Sequence, residues 1–356
     1  MALRKAPYRF QSQKTKHVMR WFQGVLLAHL IASVVVAELA GFDGLRGLVS
    51  AAIALVVGLA VEIGFYISWK RFESVPKLIN EKHPFITPLL VVLLLPLHTP
   101  FYIIGISTLV AVWIGKLVFG GFGFSIFNNA VVGVLFAYVS FANDLAFPAE
   151  LSALGGNYPI ELLKVATFAN TTVGFDINAL FLGGQYYMVS LGAMSGLAVV
   201  ISFLVLALKR VVDWRISVAY VAAVYGMSFV AGGQVLAMEM VLSGLVLVGA
   251  AFYVSDPVTS PTTQNTKILY AVVVALITVM IRILGDATEG VLFAILIGNV
   301  ITPYMNRSAR KSSLVSFVQM LVIASVITAT SGYVIQLVMQ PETVEVATLE
   351  VFDETL

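Results

Sequence analysis

Apolar runs about as long as a bilayer is thick follow one another along this chain, separated by short polar punctuation. A helix needs about 20 residues to cross the hydrocarbon core. Runs near that length fall at 21–40, 47–69, 85–97, 100–119, 125–143, 179–208, 216–232, 235–254, 267–284, 289–305 and 314–339. The pattern predicts an all-α integral membrane protein. The third run is short for a full span and stops at Leu95-Pro96-Leu97-His98-Thr99-Pro100. A second stop of the same kind, Ser255-Asp256-Pro257-Val258-Thr259-Ser260-Pro261, closes the run at 235–254. In lipid, irregular backbone persists only where protein or a water-filled cavity satisfies its freed N–H and C=O groups. Polar, proline-broken helix ends are therefore predicted to mark a site.

Charge agrees with the pattern and gives the runs a direction. Of the 356 residues, 59% are hydrophobic and 11% charged, against roughly 25% charged in soluble domains. Residues 1–20 carry Arg4, Lys5, Arg9, Lys14, Lys16 and Arg20 and no acid. The tail from Gln340 carries Glu342, Glu345, Glu350, Asp353 and Glu354 and no base. The basic start precedes an apolar run that lacks a small-residue cleavage site. It reads as a juxtamembrane cytoplasmic anchor in the lipid bilayer, not as a signal peptide or a nucleic-acid arm. Further bases cluster at Lys70/Arg71/Lys77/Lys82, Lys209/Arg210/Arg215 and Arg307/Arg310/Lys311, while 41–46, 144–178 and 285–288 are poor in base. Basic loops stay in the cytoplasm, so the N-terminus is expected inside. The loop 144–178 is expected outside, and an eleventh segment carries the acidic C-terminus outside as well.

Cysteine is absent, which excludes disulfides, Cys-ligated iron–sulfur clusters and Cys-bound zinc in this chain. His17, His29, His83 and His98 form no pair at helical spacing, and His29 alone lies inside a predicted span. A bis-His haem would lack its second buried ligand. Any redox centre here is expected to be organic; no metal site and no catalytic residue are predicted.

Two blocks of the chain read alike. From the Pro96/Pro100 break the order is Ile114-Gly115-Lys116, Gly120-Gly121, then Phe127-Asn128-Asn129-Ala130. From the Pro257/Pro261 break it is Ile281-Arg282, Gly285, then Phe293-Ala294 through Gly298-Asn299. Each block closes a group of about five segments, and an odd number inverts the second half relative to the first. Interrupted helices at matching places in inverted halves point to a central pathway. The predicted organisation is a basic segment 1–20, a first five-helix half 21–143, an outer loop 144–178, a second five-helix half 179–305, an accessory eleventh helix 306–339 and an acidic tail 340–356.

These residues resemble a family. Gly115-Lys116-Leu117-Val118-Phe119-Gly120-Gly121-Phe122-Gly123 with Ile126-Phe127-Asn128-Asn129-Ala130, Asp256-Pro257-Val258-Thr259-Ser260-Pro261, and Ile281-Arg282 with Glu289-Gly290-Val291 and Phe293-Ala294-Ile295-Leu296 are the pieces that carry the likeness. A weaker fourth is Asp213-Trp214-Arg215-Ile216. The chain is similar to the D-type membrane subunit of the Rnf electron transport complex and to the B-type membrane subunit of the Na⁺-translocating NADH:quinone oxidoreductase. The resemblance implies an inverted five-plus-five helix fold in a prokaryotic plasma (inner) membrane. It implies other membrane subunits and an FMN-carrying or iron–sulfur partner. The function implied is electron transfer through flavins, coupled to Na⁺ or H⁺ translocation. Such members attach FMN to a threonine of an S-G-A-T-P motif. Here the aligned residues are Gly155-Gly156-Asn157-Tyr158-Pro159, so covalent FMN is predicted absent. Asn157 and Tyr158 are left as candidates for a non-covalent flavin, FMN or riboflavin, on which Tyr158 could stack; the alternative is that Tyr158 anchors the loop at the interface. A solute or ion channel, or a cofactor-free scaffold subunit, remains the alternative to electron transfer.

Ionisable and amide groups inside hydrocarbon are functional candidates. Asn128, Asn129, Asp256, Thr259 and Ser260 are assigned to cofactor binding, with a structural helix cap as the competing reading of the Asp256 loop. Lys116, Arg282, Glu289 and Asn299 are assigned to an ion pathway; for Lys116 and Arg282 the competing reading is that they snorkel to the interface. Glu38, Glu62 and Glu239 also fall in or at the ends of apolar runs.

Overall fold

The computed structural model describes residues 15–145, 181–183, 190–284, 290–308 and 314–339. Among them the chain is helical, without strands. Helices α1 (Thr15–Leu39) and α2 (Gly44–Ser68) are long and apolar enough to cross a bilayer, as are Trp214–Leu242 and Thr266–Ile283. Ile31, Val35 and Leu39 on α1, and Val56 and Ile67 on α2, are half or more exposed. Such bare hydrocarbon faces suit lipid, and the chain is a multi-pass membrane protein. Between α1 and α2, Glu38 accepts the Gly44 N–H at 2.6 Å and Asp43 caps α2 by accepting from the Arg46 N–H.

A short polar helix, α3 (Val75–Lys82), is capped by Ser74 and ends at His83 in the left-handed region. Helix α4 (Ile86–Leu94) is buried along its whole length. It stops because Pro96 cannot donate and pushes Leu95 into extended backbone. Pro100 then opens α5 (Phe101–Val110), where a missing N–H costs nothing. The helix widens into a π turn over Ala111–Leu117. Asn128 caps α6 (Asn129–Ser140).

The chain then continues with further capped and interrupted helices. Ser195 caps α7 (Gly196–Leu208) and Asp213 caps α8 (Trp214–Leu242). A short α9 (Val246–Val248) widens into a π turn over Gly249–Tyr253 and stops before Pro257. Then come α10 (Gln264–Leu284), α11 (Gly290–Ser308) and the accessory α12 (Leu314–Met339), which packs on α8 and α10. The apolar pattern divides 216–232 from 235–254, and the helix is interrupted there, at Gly232 and Gly233; a further turn follows after Ser243, inside the second of those runs. Gly233 sits at φ 80°, ψ −168°, a conformation that only glycine adopts readily. The two glycines break the helix without supplying the polar turn that would end it.

In each half a long helix runs parallel to the helix that follows the break. Arg46 at the start of α2 donates to the His98 and Thr99 carbonyls just before α5, and Glu62 near its end meets Lys116 at the end of α5. Asp213 at the start of α8 meets Lys267 on α10, and Tyr220 bonds Thr278 farther along. Lipid tails are as apolar as leucine, so close van der Waals packing must hold such helices together. Gly133 shows how close: a Cβ there would lie 2.3 Å from the Ser107 carbonyl oxygen on α5.

Polar contacts join the halves through the interrupted helices. The Leu191 N–H donates to the Leu95 carbonyl at 3.0 Å, and Tyr253 donates to the Leu90 carbonyl at 2.7 Å. His29 Nε2 lies 2.9 Å from the Gly192 carbonyl and its Nδ1 lies 3.2 Å from Ser202 Oγ. A carbonyl can only accept, so Nε2 carries the hydrogen and Nδ1 accepts from the serine. His29 is thus a satisfied core residue.

Candidate functional site

Where the end of α9 reaches the start of α6, Asn128 Nδ2 approaches Asp256 Oδ2 at 3.4 Å. The two residues belong to different halves and stand at the edge of a cavity of about 50 Å³. His83, Lys116, Phe122, Ser125, Asn128, Asn129 and Asp256 line it, with Met19, Ile86 and Leu90 on its apolar side.

Each polar group is positioned by its own element. Asn128 caps α6, its Oδ1 accepting the Val131 N–H, which leaves its Nδ2 to reach the other half. Asn129, with its amide nitrogen turned toward the acceptors, donates to the Gly115 carbonyl at 2.6 Å and to Ser125 Oγ at 2.8 Å; it ties the start of α6 to the π turn of α5. Asp256 accepts from the Val258 N–H at 3.2 Å and from Thr259 Oγ1 at 3.0 Å, and the Ser260 N–H donates to its carbonyl at 3.1 Å. The Asp256 loop is therefore a self-bonded turn as well as a pocket wall. Thr259 and Ser260 are buried beside it and serve that turn.

Lys116 is buried with Glu62 in an ion pair, and its ammonium also donates to the Lys82 carbonyl at 3.1 Å, the C-terminal end of α3. Neither residue snorkels: each side chain is at most 2% exposed. Arg282, equally buried, donates to the Met240 carbonyl at 2.8 Å and to Ser243 Oγ at 2.9 Å, at the C-terminal end of α8. Both cations cap the helix that feeds an interrupted helix, α3 before α4 and α8 before α9, where the helix dipole favours positive charge. Asn299 on α11 accepts from Tyr270 at 3.3 Å. The structure brings Lys116, Asn128, Asn129 and Asp256 together and leaves Arg282 and Asn299 with partners of their own. Asn157, Tyr158 and Glu289 lie outside the described residues.

Two contributors escape a reading of the apolar pattern. His83 walls the cavity edge-on to Phe122; burial first, and then the charge of Lys116, push its imidazole below the ordinary value. Its left-handed backbone between α3 and α4 leaves no mark in the sequence. Arg46, inside a loop otherwise poor in base, satisfies the carbonyls freed at the Pro96–Pro100 break.

The donor set suits the polar edge of an isoalloxazine, since Lys116 and Asn128 donate and Asp256 accepts. The space does not suit it. About 50 Å³ accommodates a water or two, a water's share of liquid volume being about 30 Å³, and falls well short of a three-ring flavin. Among the described residues no group of three His, Asp or Glu side chains could hold a metal ion.

Fold and site together define a multi-pass helical membrane protein in which two interrupted helices from successive halves meet beside a small polar cavity. The family described as NQR2, RnfD, RnfE matches residues 2–314, and the chain belongs to it. It is 30% identical to the D-type subunit of the Na⁺-translocating ferredoxin:NAD⁺ oxidoreductase complex of Acetobacterium woodii, covering 81% of this chain and 88% of that protein. It is 27% identical to the D-type subunit of the ion-translocating oxidoreductase complex of Haemophilus influenzae, covering 86% and 95%. With the corresponding subunit of the proton-translocating ferredoxin:NAD⁺ oxidoreductase complex of Clostridium ljungdahlii it shares 29% identity over 71% of this chain and 80% of that one.

Proposed function

We infer that this chain is the D-type membrane subunit of a redox-driven ion-translocating complex, working beside other membrane subunits. Its relatives carry that role in their names, and its family membership spans nearly the whole described structure. The observation that carries the reading is the Asn128–Asp256 contact: a polar link between halves, at the broken end of a helix, where hydrocarbon packing would otherwise prevail. The neighbouring His83 follows the basic stretch 70–82, which the positive-inside rule assigns to the cytoplasm, so in this reading the cavity faces that side and the Pro96–Pro100 break faces outward.

In this reading Asp256 and Asn128 hold the two halves in register, and the cavity offers a proton or a hydrated cation a polar foothold. Electrons enter and leave through an FMN-carrying or iron–sulfur partner, because a chain without cysteine cannot ligate a cluster through thiolates. No step is assigned to a flavin in this chain.

The test uses the intact complex in membrane vesicles, comparing wild type with N128A and D256N for ferredoxin-driven NAD⁺ reduction and for ion uptake. Ion uptake per electron is expected to fall by about tenfold, on the scale of a lost 1.4 kcal/mol coupling. Unchanged uptake in both variants would overturn the reading. An absorption spectrum of the purified protein decides the flavin separately. Solute movement by this chain alone in liposomes would favour a transporter instead.

A further inference from the structure

Among the described residues two glutamates, Glu62 and Glu239, are buried along with Lys116 and Arg282, and the two parts of the chain use them differently. In the first half Lys116 reaches Glu62 and forms an ion pair. In the second half Arg282 directs its guanidinium to the Met240 carbonyl and to Ser243, and the buried acid, Glu239, stands apart. Glu239 is 1% exposed, and both of its carboxyl oxygens lack a hydrogen-bond partner. Among the described residues no basic side chain comes within ion-pair distance of it.

The surroundings offer it nothing else to pair with. Around it on α8, Leu236, Ala237, Met240 and Val241 are buried hydrocarbon. On the elements packed against α8 the ionisable groups are Lys267, Tyr270 and Arg282 on α10, Tyr253 beyond α9, and Tyr333 on α12. Lys267 is committed to Asp213 at the opposite end of α8, Tyr270 to Asn299 and Tyr253 to the Leu90 carbonyl. Tyr333 is exposed. An isolated carboxylate in such a place is too costly to persist, and the group neutralises by taking up a proton. A metal ion would need several oxygens around it, and among the described residues no second acid or histidine joins Glu239 in a cluster.

A route for exchange lies on the same helix. Gly232 and Gly233 interrupt the helical backbone two turns before Glu239, and on the other side of the break Ser228 Oγ is also buried without a partner. Two unpartnered polar side chains thus stand on either side of backbone that leaves the helical conformation.

We propose that Glu239 is a proton-binding site of this chain, exchanging its proton through the Gly232–Gly233 break. It differs from the Asn128–Asp256 cavity in place and in ligand; its labelling test does not depend on the redox reading, and only its coupling readout rests on that reading. The intact complex in native membranes is treated with dicyclohexylcarbodiimide, an apolar reagent. It takes the carboxylic proton on one nitrogen and adds the carboxyl oxygen at its central carbon; rearrangement then gives a stable N-acylurea. Peptide mass mapping is expected to find the adduct on Glu239 at neutral pH, absent in E239Q, with at least tenfold less on the ion-paired Glu62. Labelling that is suppressed tenfold by Na⁺ at constant pH would mark a metal-cation site and overturn the proposal. So would an unlabelled Glu239 in membranes where the detergent-unfolded chain is labelled. As a second readout, E239Q copies the protonated acid and is expected to assemble and melt like wild type. Its ion uptake per electron should fall at least twofold; wild-type coupling would reduce Glu239 to an inert buried acid.

Discussion

The hydroxyl of Tyr253 donates to the main-chain carbonyl of Leu90 at 2.7 Å, and the two residues lie on the two interrupted helices. The bond runs from one broken helix to the other across the middle of the molecule. Both residues are buried, so neither group has water to fall back on. Tyr253→Phe keeps the ring and removes the donor, while the Leu90 carbonyl keeps its place in the α4 helix. The expected cost is about 0.5–1.5 kcal/mol, measured as a lowered thermal midpoint of the detergent-solubilised protein. A variant as stable as wild type would mean that the halves are held together elsewhere.

The Glu62–Lys116 pair predicts strong non-additivity. Removing one partner of a buried pair strands a charge, at a cost of about 3–5 kcal/mol, whereas replacing both by hydrocarbon is often neutral. K116M and E62L are each expected to lower the yield of folded protein sharply, and the double variant to recover most of it. Size-exclusion chromatography of a fluorescent fusion reads all three. Additive losses would show that the two residues act independently.

Asp213 predicts a pH dependence. Partial burial pushes its carboxyl up, but the hydrogen bonds from Lys267 and from the Arg215 N–H, together with the charges of both bases, outweigh that and hold it below its usual value. Its folded pKa is depressed, so the stability it adds is fully present above the unfolded value of about 3.9 and is lost as pH falls through the folded value. D213N should therefore melt below wild type at pH 7, and the gap should close as the medium is acidified through the folded value. A gap that persists there would assign the effect to the helix cap alone.

Gly133 predicts a steric limit. A Cβ at this position would also lie 2.6 Å from that of Ala111, so G133V must push α6 away from α5. Overpacking of this kind costs about 1–3 kcal/mol, and the displaced α6 would carry Asn128 away from Asp256. Loss of assembled complex on native gels is the expected outcome.

Asp256, Asn128, Glu62 and Lys116 can all be picked out in the sequence, because a polar residue in a hydrocarbon run has to be there for a reason. Their pairings cannot. Asn128 and Asp256 are 128 residues apart and Glu62 and Lys116 are 54 apart, and one sequence contains no information on contacts at such range. The break at Pro96 is legible because proline acts on its own backbone. The break at Gly232-Gly233 is legible too, because paired glycines interrupt an apolar run; the second turn, after Ser243, is not, because it falls inside hydrocarbon with no proline to mark it. Thr259 and Ser260 read as ligands from their hydroxyls, yet in the turn they help to build the Thr259 hydroxyl bonds Asp256 and Ser260 contributes its N–H.

The π turn at Ala111–Leu117 has a geometric consequence. Relative to a plain α-helix it holds one residue more, and each residue advances an α-helix by about 100°. Straightening that turn into a plain α-helix without losing a residue would rotate the chain beyond it by about that angle. Lys116 would then face away from Glu62, and the base would be lost to its acid although both side chains are still encoded. The widened turn works like a shim under a shaft: an insertion of a single residue decides which face of a membrane helix carries charge.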